Sequence, residues 1–307
     1  MKKYLKKIKF QFGKLKNNIM AKAFKEVNSE ELTKKVKDWW NDNPFTYLMN
    51  NQNISADWVF FRNIDRKIIK WMPWAQKGYP LLSSVVNYKE LKDKKVLDIA
   101  VGTGWTTEQF VRAGARVHAI DLTPQAVELT KRRLSLYNIE AESVTVGDAQ
   151  HIEYENEYFD FVLAFGCLMH MPNTQKAIDE IYRVLKPGGK MSAMMYHKHS
   201  LHWWYYIYLS KGILRGKLLK MSRQELSNRY TDGVYEGGNQ LTKFYSKKEI
   251  RKMFGKFSKV KIEVEDGLTC IDHFPHRFLP LGSLLPNRVK KYLVKKVGQT
   301  LWIDVIK

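Results

Sequence analysis

The chain has 307 residues, 44% of them hydrophobic, a formal net charge of +21 and two cysteines. Its length supports one large domain with additions or two small ones, with a sizeable core in either case. No apolar run reaches the ~18 residues of a membrane-spanning helix, and the basic N-terminus lacks the apolar stretch of a signal peptide. Cys167 and Cys270, far apart in sequence, imply a reducing compartment without a disulfide framework. A cytoplasmic protein is therefore expected.

The charge is unevenly placed. Residues 95–185 carry 13 acids and 8 Lys/Arg, and the remainder carries 44 Lys/Arg against 18 acids. Such a field suits an anionic membrane surface, nucleic acid or an acidic metabolite. High lysine and asparagine usage arising from genome composition alone is the plainer alternative.

Residues 1–25 contain nine lysines and no acid. Tyr4, Leu5, Ile8, Phe12, Leu15, Ile19 and Ala23 recur at helical steps and form one apolar stripe. A basic amphipathic helix of this kind reads as membrane-surface or partner-binding; packing of its stripe on the rest of the protein is the alternative. Ser29-Glu30-Glu31-Leu32 reads as a helix start capped by Ser29, running to about Trp40 and stopping before Asn43-Pro44. Helical stretches follow over about 56–71 and from Pro73 to near Val86.

The most informative segment is Val96-Leu97-Asp98-Ile99-Ala100-Val101-Gly102-Thr103-Gly104. A short apolar run predicts a buried strand. Two glycines then let backbone approach a ligand, and the helix opening at Trp105 offers unpaired N–H groups. A second strand, 115–120, ends at Asp121, 19 positions after Gly102, about where a nucleotide-binding βαβ unit places its ribose-binding acid. A third strand, 142–146, ends at Gly147-Asp148-Ala149, whose carboxylate suits an adenine amino group. Helices are predicted over 105–113 and 124–137. A strand over 159–165, a helix over 174–185, Lys186-Pro187-Gly188-Gly189 and a strand over 190–196 follow. Alternating strands and helices imply a parallel sheet covered on both faces. A dinucleotide fingerprint wants a third glycine where Thr107 stands, and Asp98 is foreign to it.

Asp-x-Ala-x-Gly-x-Gly, the acid after strand two, Gly-Asp-Ala after strand three and Ile181-Tyr182-Arg183-Val184-Leu185-Lys186-Pro187-Gly188-Gly189 together resemble the class I S-adenosylmethionine-dependent methyltransferases. The likeness is to the small-molecule and quinone-type branch and covers roughly residues 94–198. It implies a Rossmann-like, seven-stranded, mostly parallel α/β sheet with helices on both faces, an N-terminal helical lid and a basic C-terminal insertion. The implied organisation is a basic helix over 1–25, a helical cap over 26–90 and a methyltransferase domain over 91–307, with insertions at about 200–245 and 266–298. The segment Trp39-Trp40-Asn41-Asp42-Asn43-Pro44 is similar to a Trp-Asn-x-x-Pro signature preceding the core in some bacterial relatives.

By that resemblance the cofactor is S-adenosylmethionine. Asp98 orders the turn and the methionine end. Ala100, Gly102, Thr103 and Gly104 form the backbone cradle. Asp121 with Leu122 takes ribose, and Gly147, Asp148 and Ala149 take adenine. Phe165 to Leu168 flank the adenosine and sulfonium. His170, Tyr196 and His197 are candidates on the substrate side. Each has a structural alternative, and relatives often carry two adjacent histidines where this chain has Met169 and His170.

After the fifth strand come His197, His199, His202 and the aromatic run 203–208, which reads as a helix at an interface or walling an apolar pocket. Methyl transfer needs no metal, and none is expected. Residues 222–245 read as loop and short helix, 246–254 as a helix capped by Ser246, 260–264 and 300–306 as the last two strands, the final one antiparallel. A basic helix is expected over 287–297. Cys270, Asp272, His273 and His276 make an unconvincing metal set.

The reading is an enzyme that methylates a small or lipid-like acceptor, acting in the cytoplasm or peripherally at the inner membrane face. An RNA methyltransferase is less favoured, for want of an RNA-binding module and of an Asn-Pro-Pro-Tyr-type motif. A non-catalytic cofactor-binding or membrane-adaptor protein conflicts with the intact glycines and three acids.

Overall fold

The computed structural model describes residues 29–43, 56–72, 81–232, 238–266, 269–272, 274 and 281–307. The expected basic helix over 1–25, the start of the segment after Pro73, and His273 and His276 lie outside them.

Seven strands form one sheet: β1 (Lys95–Ile99), β2 (Arg116–Asp121), β3 (Ser143–Val146), β4 (Phe159–Phe165), β5 (Leu185–Tyr196), β6 (Lys259–Glu265) and β7 (Thr300–Ile306). Their order is β3-β2-β1-β4-β5-β7-β6. β1 pairs in parallel with both β2 and β4, in registers such as Asp98↔Ala119 and Asp98↔Leu163. β7 runs antiparallel between β5 and β6. The chain leaves β1 toward one edge and returns at β4 on the other side. The crevice at such a reversal, outside the carboxyl ends of the strands, is where open α/β sheets hold ligands.

The helices are α1 (Ser29–Asp42), α2 (Trp58–Trp71), α3 (Trp105–Arg112), α4 (Pro124–Leu136), α5 (Thr174–Val184), α6 (Arg223–Tyr230), α7 (Lys247–Met253), α8 (Thr269–Asp272) and α9 (Asn287–Val297). Local chemistry sets several starts. Asp57 caps α2 by accepting from Phe60 N, and Thr123 caps α4, with Pro124 at the first turn. Ser222/Glu225 and Ser246/Glu249 are reciprocal capping boxes for α6 and α7.

Side chains alternate across the strands and build a core on each face of the sheet. Leu97, Ile99, Val162, Ala164, Met191, Ala193, Leu301 and Ile303 pack with α5 and α7. Val96, Phe161, Leu163, Phe165 and Trp302 pack with Phe60, Phe61 and Ile64 of α2 and Phe110 of α3. Three elements differ from expectation. Residues 81–85, expected to close a helix ending near Val86, form a turn. β5 begins at Leu185 because Leu185 pairs with Phe159, and the register shifts over Lys186-Pro187-Gly188-Gly189 before Lys190 meets Phe161. The aromatic helix His202–Leu214 is a π-helix, an unusually long run for that geometry. Its Trp203 and Ile207 pack on Leu226 of α6, while Trp204, Tyr206, Ile213 and Leu214 stay exposed.

Candidate active site

The turn after β1 is built from residues that tolerate a left-handed backbone. Ala100, Gly102 and Gly104 have φ of 60°, 56° and 74°. A Cβ on Gly104 would come within 2.9 Å of Thr130 Cγ2, so glycine is required there for space as well as conformation. Behind the turn, the Oγ hydroxyls of Thr106 and Thr107 donate to Asp98 Oδ2 at 2.8 and 2.7 Å. Asp98 Oδ1 and Thr103 Oγ1 are buried without a partner. Burial pushes the Asp98 carboxyl up to about 7, against the lowering effect of the two threonine hydroxyls.

Asp121 ties the cradle together. Its Oδ2 accepts from Gly102 N at 3.1 Å, and its Oδ1 accepts from Thr123 N and Thr123 Oγ1, both at 2.9 Å. Its backbone carbonyl accepts from Gly147 N at 2.8 Å, joining the turns after β2 and β3. Burial raises its pKa while those bonds lower it. Asp148 is oriented by Gln150, whose backbone N–H donates to Oδ1 at 2.8 Å.

Two adjoining clefts open at this end of the sheet. One is lined by Ala100, Gly102, Asp121, Leu122, Phe165 and Cys167. The other is lined by Ala100, Asp121, Leu122, Gly147, Asp148 and Ala149. His170 and Met171 border both. Larger grooves elsewhere, along β5–β7 and beside α3, meet none of these turns. Asp98, Thr103, Gly104 and Leu168 stand behind the wall, with Thr103 and Leu168 fully buried.

The resemblance implies an N-terminal helical lid but does not say which of its residues form the wall. Thr33, Val36 and Trp40 of α1 close over the clefts, and Trp40 meets the His170 ring edge-on at 5.3 Å between centroids. The only signal was the pair Trp39-Trp40, and aromatics of that kind read as core. Of the three substrate-side candidates, only His170 reaches the clefts. The Tyr196 hydroxyl donates to Asp232, and its ring stacks on Phe244. His197 is buried away from the clefts, with Nδ1 3.0 Å from the Gly298 carbonyl, and burial lowers its pKa.

Residues 97–193 match a family model described as a methyltransferase domain. This segment is similar to a methyltransferase domain. Over 104 residues the chain is 36% identical to phosphoethanolamine N-methyltransferase 2 of Caenorhabditis elegans, covering 34% of this chain and 24% of that protein. Over 181 residues the chain is 38% identical to the ubiquinone/menaquinone biosynthesis C-methyltransferase of Hydrogenovibrio crunogenus, covering 57% and 64%. The chain thus spans less than two thirds of either relative. A solved protein of Pyrococcus horikoshii shares the fold at a TM-score of 0.51 and 17% identity, covering 88% of this chain and 98% of that one. The cofactor of such a methyltransferase domain is S-adenosylmethionine. The chain's residues fit it: Asp98, whose buried Oδ1 has no hydrogen-bond partner among the described residues, and two further acids, Asp121 and Asp148, stand about a turn whose Gly104 leaves no room for a Cβ.

Proposed function

We propose that the protein transfers the methyl group of S-adenosylmethionine to a small acceptor with an apolar body, and does so at an anionic membrane surface. The observation that carries the transfer reading is the convergence of Asp98, Asp121 and Asp148 on the Gly-rich turn at the carboxyl ends of β1, β2 and β3. In this reading Asp121 accepts from ribose hydroxyls, Asp148 from the adenine amino group, and Ala100, Gly102, Leu122 and Ala149 give backbone and apolar walls. Asp98 faces the cationic methionine end. The bound cofactor supplies an activated methyl group on a sulfonium. The chain's work is to align the acceptor and exclude water, and α1 with Phe165 and Met171 supplies the apolar cover. The relatives are named for a C-methylation and an N-methylation, so the acceptor atom does not follow from likeness.

A pH dependence follows from Asp98. In the free protein its carboxyl, raised to about 7, is protonated in mildly acidic solution. A cationic ligand favours the carboxylate, so binding there expels a proton. Affinity for S-adenosylmethionine is expected to rise between about pH 5.5 and 7.5 and then level off. Asp98→Asn should bind more weakly with no such slope. Calorimetric titrations across that range check it; a flat wild-type profile would remove Asp98 from the cofactor's surroundings.

The membrane part rests on two stretches without acids. Residues 201–224 carry Lys211, Arg215, Lys217, Lys220 and Arg223, and residues 281–303 carry Arg288, Lys291, Lys295 and Lys296, with Lys290 buried and paired to Asp272. Among these cations Leu214, Leu219 and Leu284 are 72%, 89% and 80% exposed. Tyr205 of the π-helix meets Phe274 at 4.8 Å between centroids, and the Phe274 carbonyl accepts from Gly282 N at 2.8 Å, which links the two stretches. Exposed leucines among lysines suit the headgroup boundary of an anionic leaflet, each basic residue adding ~1 kcal/mol. Among the described residues no helix is long and apolar enough to cross a membrane. The protein is expected to float with phosphatidylglycerol-containing vesicles and not with phosphatidylcholine alone. Leu214→Glu/Leu219→Glu should release it; flotation unchanged by that variant, or binding to RNA in preference to vesicles, would refute the assignment.

A further inference from the structure

Three cations around the end of the π-helix are held by aromatic rings and not by acids. Lys211 Nζ lies 4.9 Å from the centre of the Tyr206 ring and 5.3 Å from that of Tyr230. Lys217 Nζ stands 5.8 Å from the centre of the same Tyr230 ring. The Arg223 guanidinium lies 4.8 Å from the Tyr208 ring and donates from Nη2 to its hydroxyl at 3.1 Å. All fall within the ~6 Å reach of a cation–π contact. Lys211 and Lys217 are half-buried, and no carboxylate of the described residues pairs with either, or with Arg223. Glu225, the nearest acid in sequence, is turned back on its own helix cap, where it accepts from Ser222 N at 2.6 Å. The distinction matters for charge. A carboxylate would cancel each cation, whereas a neutral ring orients it and leaves its charge available to a ligand.

The rings are themselves fixed. Tyr208 stacks on Trp203 at 5.5 Å with the planes 9° apart, and Tyr208 and Tyr230 both pack on the cluster of Trp203, Ile207 and Leu226. Gly216, with φ of 64°, makes the left-handed turn after the π-helix that brings Lys217 to the ring Lys211 already meets. Leu214 and Leu219, on either side of that turn, are the exposed apolar tip.

We propose that Lys211 and Lys217, with Arg223 beside them, form a binding site for the phosphomonoester headgroup of an anionic membrane lipid. This inference rests on the membrane-surface reading above and adds to it a choice among anionic lipids. A phosphomonoester carries about −1.5 to −2 charge at neutral pH and three strongly accepting oxygens, against the single charge of a phosphodiester. Two ammonium groups about one ring, on flexible stems with rotatable donors, turn together to a dianion; a monoanion satisfies one of them. The leucines specify the source. A free phosphate metabolite has no use for an apolar tip, whereas a headgroup at the acyl boundary lies where Leu214 and Leu219 enter.

The test is co-sedimentation of the full-length protein with phosphatidylcholine vesicles containing either phosphatidic acid or phosphatidylglycerol, in proportions set to equal zeta potential. Affinity for the phosphatidic acid vesicles is expected to be about tenfold higher, since each of the two lysines adds an attraction of the size of one basic residue at an anionic surface. Lys211→Gln/Lys217→Gln should bring both vesicles to the same affinity. Lys291→Gln/Lys295→Gln removes as many charges from α9 and should weaken both equally, keeping the ratio. Thermal unfolding checks that the variants fold; should the first not, Lys217→Gln alone, beside the turn, should cut the preference to about threefold. Equal binding of the matched vesicles by the wild type, or a preference that survives in Lys211→Gln/Lys217→Gln, overturns the proposal. So does calorimetric binding of soluble glycerol 3-phosphate as tight as that of the vesicles. Absent binding to either anionic vesicle removes the membrane reading itself, whereas binding without preference removes only the headgroup site.

Discussion

Asp121→Ala is expected to weaken binding of S-adenosylhomocysteine by about 10²–10³-fold, the largest functional effect of any single change in this protein. The carboxylate does two jobs. It is the proposed acceptor for ribose hydroxyls, and it already holds Gly102 N and both donors of Thr123. Hydrogen bonds to a charged group contribute about 1.5–3 kcal/mol each. Losing ribose bonds alone therefore costs about 10-fold or more apiece. Loosening Gly102 and Thr123 adds the disorder of the turns they anchor. Titration calorimetry of wild type and variant decides it, with thermal unfolding as a control for folding. Equal affinities in two folded proteins would remove Asp121 from the binding site and weaken the cofactor assignment with it.

Arg133→Met is expected to cost about 3–5 kcal/mol of stability, a fall in melting temperature of roughly 10 °C. Arg133 sits on α4, 3% exposed, and forks onto Asp65 of α2 through Nη1 at 2.9 Å and Nη2 at 2.6 Å. Its Nε donates to Glu108 of α3 at 2.7 Å. One guanidinium thus ties three helices together, beside the aromatic faces of Phe61 and Tyr137. Methionine fills much of the space and leaves two acids without their shared cation, Glu108 keeping only Arg112. The triple variant Asp65→Leu/Glu108→Gln/Arg133→Met should recover much of the loss, because the penalty lies in the stranded charge and not in the absent bonds. A single variant that melts with wild type would show these ion pairs to be incidental.

The parts of the fold that the sequence makes legible are those in which neighbours along the chain are also neighbours in space. The Gly-rich turn, its strand and its helix form one local unit, and Asp121 and Asp148 fall at strand ends that periodicity locates. Strands β4 and β7 and helix α9 coincide with the expected residues because apolar runs and helical periodicity are local signals. What sequence does not reveal are partners across long separations. Residue 170 meets 241 and residue 133 meets 65, and the expected lid does not say which α1 side chains meet the cleft. Periodicity tells which face of α1 is apolar, not what that face covers. Asp232 is an unremarked acid in a polar segment, and only the fold brings it to Tyr196 and His170. The π-helical winding of 202–214 also leaves no signature, because the same aromatic run reads as an ordinary helix.

Cys167 borders the same cleft as Ala100 and Phe165, its thiol 3.8 Å from the Ile99 carbonyl. Burial, and secondarily the charges of Asp121 and Asp98, push its pKa well above the usual thiol range. If the proposed methyl donor binds in this cleft, a thiolate there would be a competing nucleophile, since the thiolate is the reactive form. Holding that sulfur protonated inside an acidic, water-poor wall removes the competing nucleophile without removing the side chain. On the methyl-transfer reading proposed above, burial together with the acids that would attract a cationic donor would also shield this sulfur from it.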